Sequence, residues 1–214
     1  MNNSQVSNET TIIPTKDGPY IVKGLKQLSN SNGPVEANEQ IALCRCGKSS
    51  NKPFCDGTHS MVNFSDEKSA ERVPDNKDEY KGHDITISDN RGICAHAGFC
   101  TDGLPSVFKL KVEPWIDPDS ASKEEIAKTI TKCPSGALSF TSESNEKNID
   151  SAEPLIFIAK NGPYVVKGGP RLEVDDMGNR ATKDHFTLCR CGGSKNKPFC
   201  DGTHWHIEFT DDKN

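Results

Sequence analysis

Nine cysteines fall into three groups of three: Cys44, Cys46 and Cys55; Cys94, Cys100 and Cys133; Cys189, Cys191 and Cys200. A histidine stands near each group, at His59, His96 and His204. Thiolate and imidazole are soft donors, which select zinc or iron–sulfur clusters over hard cations. The polar N-terminus has no export signal, and the cysteine count is odd, so a disulfide framework is the weaker expectation. In the outer groups the order is Cys, one residue, Cys, eight residues, Cys, three residues, His, and it occurs twice. Repetition of the whole set makes coincidental spacing a poor explanation.

Three thiolates and one imidazole are also a structural zinc set, and the longer gaps match those of CCCH RNA-binding fingers. Zinc knuckles separate their paired cysteines by two to four residues, whereas one residue separates Cys44 from Cys46. Two cysteines that close suit a binuclear cluster, with one iron on the pair and the other on Cys55 and His59. The run Cys44-x-Cys46-x-x-Ser49-x-x-x-Pro53-x-Cys55-Asp56-Gly57-Thr58-His59, and its copy ending at His204, resembles the CDGSH iron–sulfur domain (mitoNEET-like) family. Thr58 and Thr203 stand where that family has its name-giving serine, a change between small hydroxyl residues. The resemblance implies one 2Fe–2S cluster on Cys44, Cys46, Cys55 and His59 and another on Cys189, Cys191, Cys200 and His204. It also implies internal pairing, because single repeats of the family form homodimers and this chain carries two. The expected form is a monomer with a pseudo-twofold axis.

Between the repeats, Cys94-x-His96-x-x-x-Cys100 is followed, after 32 residues, by Cys133-Pro134. A cysteine before proline, distant from a cysteine cluster, is a ferredoxin arrangement. Tight ferredoxin spacing would put another cysteine at position 97, where this chain has Ala97. Three thiolates would hold 3Fe–4S. With His96 as fourth ligand the site would hold 4Fe–4S, or His96 would hydrogen-bond near the cluster without ligating it. Residues 93–140, including Pro114-Trp115-Ile116, resemble the divergent single-cluster ferredoxin (4Fe–4S mono-cluster) family.

One histidine in place of a cysteine removes one negative charge from a two-iron site and makes it easier to reduce. Centres with two histidines reach about −150 to +300 mV and all-cysteine plant-type ones lie near about −400 mV, so one histidine points between. Imidazole also titrates near neutral pH, which ties potential and cluster retention to protons. The expected function is electron transfer to a redox partner protein. The alternatives are an iron–sulfur cluster carrier or redox/iron sensor, and a structural zinc module that binds a partner. No Walker loop, dinucleotide glycine fingerprint or hydrolase nucleophile is present, so no enzyme activity is expected.

The elements that must position these donors follow from the repeat itself. Lys16 to Gly24 returns as Lys160 to Gly168, and Asn51 to His59 returns unchanged as Asn196 to His204. The expected domains are 11–64 (CDGSH), 80–141 (ferredoxin-like insert) and 154–209 (CDGSH). Charged stretches at Ser65–Glu79 and Ser142–Glu153 read as linkers. Tyr20–Lys23 and Ile41–Leu43 read as short strands, and the cysteine segments as loops. Asp56 is placed to cap a short helix carrying His59. In the insert, His83–Ser88 and Ala137–Phe140 read as strands, and Ser122-Lys123-Glu124-Glu125 opens a helix with Ile126 and Ile130 on one face. The fold class is α+β, built of small β-rich iron–sulfur modules.

Apolar residues make up 33% of 214 and aromatics 7%, so one large greasy core is not expected. A net charge of −5 argues against nucleic acid as a partner. No apolar run reaches the ~20 residues of a membrane helix, and the expected location is cytoplasmic. Arg45, Lys48, Lys52, Arg190, Lys195 and Lys197 put positive charge near the cysteines, to tune potential, to steer an acidic partner, or simply as solvated surface. Trp115 and Phe108 read as core; His83, His185 and His206 receive no role.

Overall fold

The computed structural model describes residues 9–141, 153–175, 177–178, 184–212 and 214. The polar N-terminus up to residue 8 and most of the second linker, 142–152, lie outside the described residues. The first repeat forms β1 (Thr11–Pro14), β2 (Tyr20–Lys23), β3 (Gln27–Asn30), β4 (Gly33–Pro34), β5 (Gln40–Leu43) and the one-turn helix α1 (Thr58–Met61). The insert forms β6 (Asp78–Lys81), β7 (Thr86–Asp89), α2 (Phe99–Gly103), α3 (Lys123–Ile130) and β8 (Leu138–Thr141). The second repeat forms β9 (Leu155–Ile158), β10 (Tyr164–Lys167), β11 (Arg171–Leu172), β12 (Phe186–Leu188) and α4 (Thr203–His206).

The two repeats exchange strands. One sheet runs β11-β1-β2-β5 and the other β12-β10-β9-β3-β4, so each repeat completes the other's sheet. The cross-repeat joints are parallel, Ile12 beside Leu172 and Leu28 beside Ile156, whereas neighbours within a repeat are antiparallel. Tyr20 and Tyr164 meet edge-to-face at 6.1 Å between ring centres. The Tyr20 hydroxyl lies 3.0 Å from the carbonyls of Cys189 and Pro198, and that of Tyr164 lies 2.9 and 3.0 Å from those of Cys44 and Pro53. Each tyrosine therefore anchors the cysteine loop of the other repeat. Ile12, Tyr20, Val22, Leu43, Ile156, Tyr164, Val166 and Leu188 share one buried core. A chain this poor in apolar residues fills that core by pooling side chains from both copies.

The insert has its own antiparallel sheet, β6-β7-β8, and its own core of Ile87, Phe108, Trp115, Ile116, Ile126, Ile130 and Leu138. Ser122 and Glu125 form the expected reciprocal capping box of α3, and Ile126 and Ile130 are buried on its inner face. The strand expected at His83–Ser88 starts at Thr86, because Gly82 and Ile85 close a turn through a 2.9 Å backbone bond. The first linker contributes β6 at its end, and Ser69 N–H donates to the Lys195 carbonyl at 2.8 Å. No helix among the described residues is long and apolar enough to cross a membrane.

Candidate metal centres

Each cysteine loop of the repeats is clamped onto the strand before it. Cys44 N–H donates to the Pro53 carbonyl and Cys55 N–H to the Ala42 carbonyl, both at 2.8 Å, which brings the third cysteine back beside the first two. The Ser49 hydroxyl donates to the Phe54 carbonyl at 2.7 Å and accepts from Asn51 N–H at 3.0 Å. Ser194 makes the same two bonds at 2.7 and 3.0 Å. Asp56 Oδ1 accepts from Thr58 N–H while its Oδ2 accepts from Ser50, so the carboxylate ties the start of α1 to the loop. The N-cap itself is Gly57 at φ 89°, which differs from the Asp cap that the spacing suggests.

In the first repeat the Cys44 and Cys46 sulfurs lie 3.8 Å apart, and Cys55 Sγ lies 3.3 Å from His59 Nδ1. The second repeat gives 3.8 Å for Cys189 to Cys191 and 3.4 Å for Cys200 to His204 Nδ1. A tetrahedral metal with sulfur bonds of about 2.3 Å and nitrogen bonds of about 2.0 Å separates two sulfurs by about 3.8 Å and a sulfur and nitrogen by about 3.5 Å. The donors are thus spaced as two edges, one Cys–Cys and one Cys–His. Among the described residues, no three such donors surround one metal position. A two-plus-two set of these donors fits a binuclear cluster.

The thiols are free of disulfides. Burial raises Cys44; the hydrogen bond within the second pair, with burial, raises Cys189, and the same bond lowers Cys191 against the opposing effect of burial. Burial pushes the His204 imidazole down to about 4, which keeps it in the neutral, metal-binding form at ordinary pH. Gly57 N–H reaches the Cys55 sulfur and Gly193 N–H the Cys191 sulfur, each at 3.4 Å. Such N–H···S contacts stabilise the more negative, reduced state of a cluster.

In the insert, Cys94, Cys100 and Cys133 line a cavity of about 170 Å³ together with His96 and Ala97. Burial pushes Cys94 up to about 11 and raises Cys100, so loading metal there releases protons. An Arg91 guanidinium nitrogen lies 3.6 Å from Cys94 Sγ, and Ser135 Oγ 3.6 Å from Cys133 Sγ. His96 also looks outward: a Cβ on Gly202 of the second repeat would sit 2.4 Å from its Cδ2. Conversely, His185 of the second repeat places Nε2 2.9 Å from the Cys133 carbonyl. The sequence assigns His185 no role, because nothing in its flanking residues signals a partner 52 positions away.

The basic residues divide by depth. Arg45 and Arg190 are buried at 3% and 1% exposure, pair with Asp66 and Asp211, and lie over the Tyr20 and Tyr164 rings. They brace the sheets and are not solvated surface charge. Lys52 and Lys197 donate to the Ser49 and Ser194 carbonyls at 2.8 and 2.7 Å. Lys48 and Lys195 are exposed, the latter 3.5 Å from Glu71. Phe108 and Trp115 sit in the insert core, with Arg91 stacked 3.6 Å above the Trp115 ring.

Comparison with known proteins gives two family matches. The iron-binding zinc finger CDGSH type model matches residues 17–60 and 161–205, and the divergent 4Fe–4S mono-cluster model matches residues 80–143. The uncharacterized protein YjdI of Escherichia coli strain K12 is 43% identical over 61 residues, 28% of this chain and 80% of the relative; YjdI of strain O157:H7 gives the same figures. No solved structure matches the chain.

Proposed function

The chain belongs to the CDGSH-type iron-binding and divergent 4Fe–4S mono-cluster families, joined in one polypeptide, and on that premise we propose that it is an electron-transfer protein. It would carry a 2Fe–2S cluster at each CDGSH site and one 4Fe–4S cluster in the insert. When bound, these groups supply one-electron redox chemistry; the chain's own part is to hold them in series. The supporting observation is contact between all three ligand sets. Gly47 and Gly192 bring the CDGSH loops together, since a Cβ on either would lie 2.4 or 2.5 Å from the carbonyl of Cys191 or Cys46. His96 and His185 then join the insert to the second loop. Nine free thiols suit a reducing compartment such as the cytoplasm. We place the chain there as a monomer that docks on a redox partner protein.

The test is iron analysis and an EPR-monitored redox titration of the loaded protein and Cys133→Ser. About eight iron atoms per chain and signals from three centres are expected. Cys133→Ser should lose about four irons and only the insert's signal, because the three ligand sets share no residue. A colourless protein holding zinc, or loss of all three signals together, defeats the reading. A carrier role finds support in one place, the half-buried Cys55–His59 corner.

A further inference from the structure

The two CDGSH sites carry the same ligands and nearly the same loop, yet their surroundings differ. Cys200 is 2% exposed and His204 5%, while Cys55 and His59 are only half-buried. The contrast extends along the loop: Asn196 and Phe199 are 2% exposed, whereas Asn51 is exposed and Phe54 half-buried. The covering comes from the insert, with the first linker bonded to Lys195 beside it. Asn196 Nδ2 donates to the Gly92 carbonyl at 2.8 Å, and His96 lies against Gly202. A Cβ at the corresponding Gly57 would meet nothing within 4 Å.

A groove between the insert and β9–β10 does reach His204. There the Trp205 ring stands 5.2 Å from the imidazole. The first repeat has Ser60 at that position. An open cleft lined by Gln40, Ile41, Phe54 and Cys55 reaches the first site, and Met61 and Val62 beyond His59 are 77% and 44% exposed.

We propose that the insert divides the work of the two near-identical sites: the second retains its cluster as the insert's neighbour, and the first, through its open Cys55–His59 corner, is the site of cluster release and exchange. The proposal rests on the 2Fe–2S reading above. Release here is ligand exchange without a change of oxidation state. Incoming donors replace the cysteine sulfurs and the imidazole at ferric iron, sulfide leaves as hydrosulfide, and the freed thiolates take protons. The rate is set by how readily those donors reach the Cys–His corner.

The probe is EDTA, added in excess to the oxidised holoprotein at pH 8. Aliquots are quenched over time and reduced with dithionite, and the 2Fe–2S EPR signal is counted. Loss should be biphasic, half fast and half slow, with rates at least tenfold apart. Cys44→Ser should abolish the fast half and Cys189→Ser the slow half. The double variant Asn196→Ala/Trp205→Ser, which loosens the insert from the second loop, should speed the slow half severalfold and leave the fast half unchanged. A single phase, the opposite assignment, or a double variant with an unchanged slow half overturns the proposal. If a cysteine variant fails to fold, the wild-type time course and the double variant decide alone. If Cys44→Ser and Cys189→Ser fold yet neither loses a 2Fe–2S signal, the underlying cluster reading has failed instead.

Discussion

At the scale of single residues, Asp89 shows how the insert's cavity is tuned by burial. Its side chain is 1% exposed and lines the cavity with the three cysteines. Burial is the main reason its carboxyl is pushed up to about 6; Asp78 adds to the rise, and Arg91, 3.1 Å away through Nε, opposes it. A carboxyl with a raised folded pKa binds its proton more tightly in the native state. Its contribution to stability is therefore present in full below the unfolded value near 3.8 and is lost as pH rises through about 6. Relative to Asp89→Asn, which cannot titrate, the wild type should lose about 1 kcal/mol between pH 5.5 and 8. Urea midpoints of both proteins at the two pH values measure this. A constant difference would show that Asp89 titrates like a surface carboxylate.

Among the elements, the cysteine loops depend on each other through two glycines. Gly47 and Gly192 have φ of 74° and 81°, in the left-handed region that disfavours any Cβ. Space is the second constraint, because each Cα faces the carbonyl of the other repeat's ligand loop. Gly47→Ala should cost about 2–3 kcal/mol, combining the backbone penalty with a forced shift of Cys191. The shift should also change the EPR line shape of the second site, although the substitution lies in the first. A variant with wild-type stability and two unaltered 2Fe–2S spectra would mean that the loops move independently.

For the whole molecule, the exchange of β3–β4 and β11 makes the repeats one body. Pulling one repeat away would break two parallel joints and split a shared core. The insert is attached through the Asn196–Gly92 and His185–Cys133 hydrogen bonds. A monomer of this length with all parts in contact should scatter with a radius of gyration near ~17 Å. A value well above that, or one that grows with protein concentration, would mean an extended chain or a larger assembly.

The candidate donor sets are proposed from residue order alone, because metal chemistry constrains donor type and spacing locally and the outer motif occurs twice. Tyr20–Lys23, Ile41–Leu43 within β5, and α3 were legible for a similar reason, since alternation and a capping box act over a few residues. The strand at Leu155–Ile158 was not among those expected, and nothing near it in sequence tells which edge it joins. Two repeats with matching strands offer matching edges, so the exchange of β3 and β11 is decided only when both copies pool their side chains in one core. The inequality of the CDGSH sites was equally invisible. Asn51 to His59 and Asn196 to His204 are the same nine residues, and their environments differ because the insert and the first linker pack on the second copy.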